Sequence, residues 1–118
     1  MFEYWIQTDL KKLPTVKKLG GQVFTLDSGA NKIGAEVYDD GVPVTLTGTV
    51  SANIVKPNGV TITATGSRSG NQAWVVLPDG AYTDTGHLGV YLKLTNGNEV
   101  MTLGGVEGYC YRSGAVSA

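Results

Sequence analysis

One cysteine and one histidine in 118 residues leave little for covalent or metal chemistry. A lone Cys110 excludes an internal disulfide, so the fold must be held by its core, which fits a reducing compartment or a protein assembled inside a cell. His87 and Cys110 together supply too few soft ligands for zinc. No apolar run approaches the ~20 residues of a membrane span. The opening Phe2-Glu3-Tyr4-Trp5 lacks the basic-then-apolar order of a secretory signal, and the chain has no Asn-x-Ser/Thr sequon. Folding inside a cell is therefore expected. A net charge of −1 provides no global field to draw in nucleic acid or an anionic membrane. The charge is uneven: residues 1–20 carry Lys11, Lys12, Lys17 and Lys18 against Glu3 and Asp9, while the remainder is acidic. A basic N-terminal arm meeting an acidic neighbour is one reading; a solvated loop is the plainer one.

What the chain has is glycine and alternation. Seventeen glycines without a Gly-X-Y period fall mostly between apolar runs, as turns do in a many-stranded protein. A hydrophobic content of 42% argues against disorder over most of the length. A chain of this size forms one domain and removes roughly 65% of its unfolded surface from water. The organising stretch is Thr47 to Pro78, which reads as two β-hairpins end to end. Val50, Ala52 and Ile54 alternate with Ser51 and Asn53, Pro57-Asn58-Gly59 turns the chain, and Val60, Ile62 and Ala64 resume. Gly66 to Asn71 is a second turn before Ala73, Val75 and Leu77.

Other strands are expected beside these. Phe2 to Thr8 alternates Phe2, Tyr4 and Ile6 with Glu3, Trp5 and Gln7. Asp9 to Lys18 is an extended connector around Pro14, and a short strand from Gln22 to Leu26 follows a Gly20-Gly21 turn. Asp27 to Lys32 is turn chemistry; Ile33, Ala35 and Val37 then face one way until Asp39-Asp40-Gly41 closes a hairpin. One helical turn is expected around Ala81 in the crossing from Pro78 to Gly86. Leu88, Val90, Leu92 and Leu94 are the cleanest alternation and predict a central strand. After Asn96-Gly97-Asn98, residues Val100 to Arg112 return as an edge strand with a bulge or a bend at Gly104-Gly105. The expected fold is all-β, an immunoglobulin-like antiparallel β-sandwich of about seven to nine strands, with a closed barrel as the alternative. Residues 1–19 read as an N-terminal arm or first strand, 20–112 as the sandwich, and 113–118 as a flexible tail or linker start.

Reaction chemistry finds no purchase. His87 has Asp84 and Thr85 near it in sequence but no nucleophile motif. Asp27, Asp39, Asp40, Asp79 and Asp84 sit in expected turns, where a carboxylate caps backbone amides, and Asp39-Asp40-Gly41 lacks the alternate spacing of a calcium loop. Nothing marks out a pair of acids for glycoside hydrolysis. Gly104-Gly105-Val106-Glu107-Gly108 lacks the Lys-Ser/Thr and helix of a phosphate loop. No catalytic residue, metal or cofactor is expected. The aromatics remain: Tyr109 and Tyr111 share a face opposite Cys110, and Phe2, Tyr4 and Trp5 begin the chain. On edge strands these could serve a partner subunit by strand addition, or pack on their own sheet. The candidate subunit contact is therefore Phe2, Tyr4, Trp5, Lys11, Lys12, Lys17, Lys18, Tyr109 and Tyr111.

The order of turns carries a resemblance. Val37 to Gly48 (VYDDGVPVTLTG), Val50 to Gly59 (VSANIVKPNG), Gly70-Asn71 before Ala73 to Pro78 (AWVVLP), Ala81-Tyr82, Gly86 and Leu92 to Thr95 (LKLT) resemble the N-terminal domain of phage baseplate upper proteins. The resemblance spans about residues 20–112 and consists of turn and strand signals without a catalytic signature. It implies a non-enzymatic virion structural protein of the tail baseplate or host-recognition apparatus. Such a domain is an immunoglobulin-like sandwich that forms homo-oligomers, often trimers, and anchors to other phage structural proteins. The expected place is the virion, after folding in the host bacterial cytoplasm, with no nucleic acid or membrane partner. The N-terminal arm lies outside the matched pattern. No receptor-binding region follows residue 118, so either a longer protein has been cut or the domain stands alone. The alternatives are a capsid decoration or head-fibre protein and a carbohydrate-binding module. The last needs an exposed aromatic platform, for which Trp5, Trp74 and Tyr91 are available and Trp74 and Tyr91 are the candidates.

Overall fold

The alternations fold into two mixed β-sheets packed face to face. The computed structural model describes residues 2–24 and 31–110. Its strands are β1 (Phe2–Asp9), β2 (Thr15–Phe24), β3 (Asn31–Asp39), β4 (Val42–Pro43), β5 (Thr49–Val55), β6 (Thr61–Thr65), β7 (Ser67–Ser69), β8 (Gln72–Val76), β9 (Gly86–Asn96) and β10 (Glu99–Cys110). The first sheet runs β1-β3-β8-β7 with β4 paired to the end of β3, and the second runs β2-β10-β9-β5-β6. Among the described residues the only helical segment is a 3-10 turn at Asp79–Tyr82, around the expected Ala81. No described helix is long and apolar enough to cross a membrane.

Each sheet turns one row of apolar side chains inward. Ile6, Ile33, Ala35, Val37, Ala73 and Val75 come from the first sheet; Val50, Ala52, Ile54, Leu88, Val90, Leu92, Leu94, Leu103 and Val106 come from the second. Leu88, Val90 and Leu92 are fully buried, and β9 lies at the centre of its sheet, as the alternation predicts. Fully burying a leucine contributes about 2 kcal/mol, so this one strand is a large part of the cohesion. The Asp39-Asp40-Gly41 hairpin is formed, with φ of 50° at Asp40 and 81° at Gly41, the left-handed pair that a two-residue turn requires.

Four expectations need correction. The sheets are mixed rather than antiparallel: β1 pairs β3 in parallel, from Phe2 opposite Asn31 to Asp9 opposite Tyr38, and β2 pairs β10 in parallel. A period of two is common to both pairings, so alternation cannot distinguish them. Gly20-Gly21 is not a turn but lies within β2, which starts at Thr15, four residues inside the expected connector. The boundary drawn between residues 19 and 20 thus falls inside a strand, and β1 places Ile6 in the common core. Gly66 to Asn71 is not one turn: β7 occupies Ser67–Ser69, and the chain changes sheet at Gly66, whose N–H donates to the Val50 carbonyl at 2.8 Å. Of the two expected hairpins only the first forms, as β5-β6; the strand from Ala73 pairs not with β6 but with β7 and β3, in the other sheet. Finally, β10 is no edge strand, since β9 and β2 flank it. Its bulge between Thr102 and Gly104 is where expected. Residues 25–30, expected to end a short strand and begin a turn, and 113–118, expected to be a tail, lie outside the described residues.

Candidate functional site

The outer face of the first sheet gathers both tryptophans of the chain. Trp5 stands opposite Gly34, and Gly34 opposite Trp74, so the three form one row across β1, β3 and β8. Their strand neighbours Ile6, Ile33, Ala35, Ala73 and Val75 point inward, which by alternation turns both indoles outward. The ring centroids are 6.4 Å apart with the planes inclined at 61°. Glycine at 34 is what permits this: a Cβ there would sit 2.4 Å from the Trp5 ring, so the indole lies on bare backbone. Lys32 Nζ lies 4.6 Å from the Trp74 ring centroid and 5.7 Å from that of Trp5, within cation–π range of both. The Trp5 indole N–H donates to Glu3 Oε1 at 2.9 Å, which fixes the ring on its strand. The flanking rows of the same face are Glu3, Lys32 and Val76 on one side and Gln7, Glu36 and Gln72 on the other. The result is an aromatic patch, half exposed and bordered by carboxylates, carboxamides and one ammonium.

The outer face of the second sheet holds a cavity of about 310 Å³ floored by Gly89, with Lys56, His87, Tyr91 and Glu107 around it. The Tyr91 hydroxyl donates to the Glu107 carboxylate. That hydrogen bond, together with partial burial and the nearby negative charge, pushes the phenol up to about 12. A phenol held this firmly donates hydrogen bonds at neutral pH and does not act as a base. Lys56 Nζ lies 3.7 Å from Asp84 Oδ2, which also accepts from Asn58 Nδ2 at 3.2 Å and Thr83 Oγ1 at 3.0 Å. These bonds tie the β5-β6 turn to the crossing before β9.

A third cluster closes one end of the molecule. Asp9 Oδ1 accepts the backbone N–H of Lys11 at 2.9 Å and of Asp40 at 3.0 Å, and Oδ2 accepts that of Gly41 at 3.0 Å. Chiefly through the Lys11 bond, its carboxyl is held below the usual carboxylate value. Lys11 Nζ also reaches Asp39 Oδ1 at 3.7 Å, an exposed pair contributing little by itself.

The expected contact residues do not form one patch. Tyr4 packs against the core of its own chain, whereas Trp5 faces outward. Phe2 belongs to β1, one of the two edges of the first sheet among the described residues, with β7 at the other. Lys17 and Lys18 are exposed on β2, the corresponding edge of the second sheet, and Lys11 and Lys12 are exposed in the connector before it. Tyr109 is 39% exposed on an interior strand, so its backbone is already paired on both sides, and Tyr111 lies outside the described residues. Trp74 and Tyr91 face outward from different sheets and do not form one platform. Of the turn aspartates, Asp27 lies outside the described residues. Among those described, no group of three or more His, Cys, Asp or Glu side chains is arranged to hold a metal ion.

Lys32, Gly34 and Glu107 escaped the sequence reading. Gly34 left a trace, because an isolated glycine inside the apolar run Ile33 to Val37 marks a close approach. Glu107 left none, since its partner Tyr91 is sixteen residues away on another strand. No protein-family model matches the chain, and no curated protein matches it.

Proposed function

We propose that this chain is a non-enzymatic attachment and assembly module of a phage virion, an immunoglobulin-like sandwich of the tail baseplate type that works as a homo-oligomer, with a trimer as the expected form. The observation that carries the reading is the pair of edges left by β1 and β2. Each of these N-terminal strands is laid in parallel on the rim of a different sheet, with no further strand beyond it among the described residues. Such an edge offers unpaired backbone groups to a neighbouring subunit, and the lysines along β2 keep it soluble until one arrives. The turn and strand order of residues 20–112 supports the assignment to the baseplate type, and the near-neutral charge suits a protein whose partners are other virion proteins.

Light scattering across a range of protein concentrations tests this. A stable trimer is expected. A strict monomer at every concentration would overturn the oligomeric reading and move the assignment to a decoration protein that orders only on its particle.

A further inference from the structure

We propose that the free edge of β6 is a self-association site, at which a second copy of the chain pairs its own β6 antiparallel about a twofold axis through Thr63. The hydrogen bonds of the β5-β6 hairpin show which backbone groups are available. At the turn Lys56 N–H donates to the Val60 carbonyl at 2.9 Å, and at the far end Gly66 N–H donates to the Val50 carbonyl at 2.8 Å. Between them Ile54 lies opposite Ile62 and Ala52 opposite Ala64, so these are the hydrogen-bonded pairs of the ladder. Thr61, Thr63 and Thr65 fall at the alternate positions, where N–H and C=O point away from β5. All three are exposed, and among the described residues no strand lies beyond them.

The four sheet edges are guarded differently. β2 carries Lys17 and Lys18, β1 carries Glu3 and Asp9, and β7 has only three residues. Charge and shortness are what keep a free edge from pairing. β6 lacks that protection. From Pro57 to Ser67 the chain holds no charged residue, and the next, Arg68, donates to the Leu46 and Gly48 carbonyls of its own chain.

A second copy is the occupant because the strand fits its own reverse. Thr61-Ile62-Thr63-Ala64-Thr65 places threonine at the same positions in both directions. With Thr63 opposite Thr63 of the second copy, Thr61 lies opposite Thr65, and each pair exchanges two hydrogen bonds. The outer face then pairs threonine with threonine, a favourable cross-strand match. On the inner face Ile62 meets Ala64, where both already pack against the core. A twofold contact consumes both edges and closes, so it joins copies in twos and does not propagate into filaments. This rests on neither the virion assignment nor the trimer, since a trimer built through β1 and β2 leaves β6 open.

Sedimentation velocity of the whole chain over a range of concentrations, with amide exchange read residue by residue by NMR, tests this. An even-numbered assembly is expected, a dimer or a pair of trimers, with the amides of Thr61, Thr63 and Thr65 exchanging more slowly as concentration rises. Thr63→Lys sets two ammonium groups against each other on the axis and should weaken this step about tenfold or more, with unchanged far-ultraviolet dichroism. Thr45→Lys adds the same charge at an exposed position away from the edge and should leave the step unchanged. The proposal is overturned if no even-numbered species forms, if Thr63→Lys associates as the parent does, or if the three amides still exchange fast in the assembly. A trimer that goes no further overturns it and leaves the reading above intact; a dimer lost in Thr63→Lys supports it and removes the trimer. Should Thr63→Lys fail to fold, the amide exchange of the parent decides.

Discussion

Trp5 rests on Gly34, its partner in the parallel pairing of β1 with β3, and a Cβ at 34 would collide with its ring as it lies. The contact joins an edge strand to an interior one through packing as well as backbone hydrogen bonds. It also sets the height at which the indole meets Trp74.

Gly34→Ala is therefore expected to lift the Trp5 ring and loosen β1. The added methyl has Trp5 ring carbons within 2.4–2.8 Å, and overpacking of this kind costs about 1–3 kcal/mol. Chemical denaturation followed by fluorescence checks both parts. The midpoint should fall, and the native emission should move to longer wavelength as the indole enters water.

Asp9 should make the protein sensitive to acid at one end. Its carboxyl is depressed in the folded state by the N–H groups of Lys11, Asp40 and Gly41, with Lys12 adding a smaller attraction, so folding favours the ionised form. The resulting stability is present above the ordinary value of 3.8 and is lost as the pH falls through the folded value. Asp9→Asn is expected to remove that dependence: parent and variant should converge in stability in strong acid and differ most above pH 3.8. Urea midpoints measured across the acid range give the comparison.

How much of this was readable before the structure depended on how local the cause was. Leu88 to Leu94 announced a buried central strand because burial of alternate residues is written in one segment. Asp40-Gly41 announced its turn because the required φ values belong to those two residues. The Trp5–Trp74 pair was only half legible. Alternation gave the outward face of each tryptophan, but their meeting depends on β1 lying parallel to β3 in one register, a choice made by chain connectivity. The same holds for β10, whose apolar and glycine pattern could not show that β2 would cover its other edge. Lys17 and Lys18 looked like an arm for the same reason.

Gly104 is a position where the second sheet tolerates no side chain without strain. Its φ is +113°, and a Cβ would lie 2.3 Å from the Thr15 carbonyl oxygen and 2.8 Å from Ile6 Cδ1. Gly104→Ala must therefore strain the backbone at the bulge and push β2 away from β10. A loss of about 2–3 kcal/mol is expected, read as a lower denaturation midpoint. Amide exchange should rise first along β2, because the displaced contact is with its first residue.

Tyr91 supplies the corresponding alkaline prediction. Its phenol is raised to about 12 by the hydrogen bond to Glu107, by burial and by the adjacent charge, whereas an unfolded tyrosine ionises near 10. A raised value means that the contribution is whole below pH 10 and is lost as the pH climbs toward 12, because the unfolded chain gives up its proton first. In a phenolate absorbance titration of the native protein, Tyr91 should ionise late, and Tyr91→Phe should delete that late step. The variant also leaves Glu107 without its donor, at a cost of about 1 kcal/mol near neutrality. Its stability should consequently lie below the parent's at pH 7 and approach it as the pH passes 10. A parallel decline of the two curves above pH 10 would show that the Tyr91–Glu107 bond does not govern alkaline unfolding.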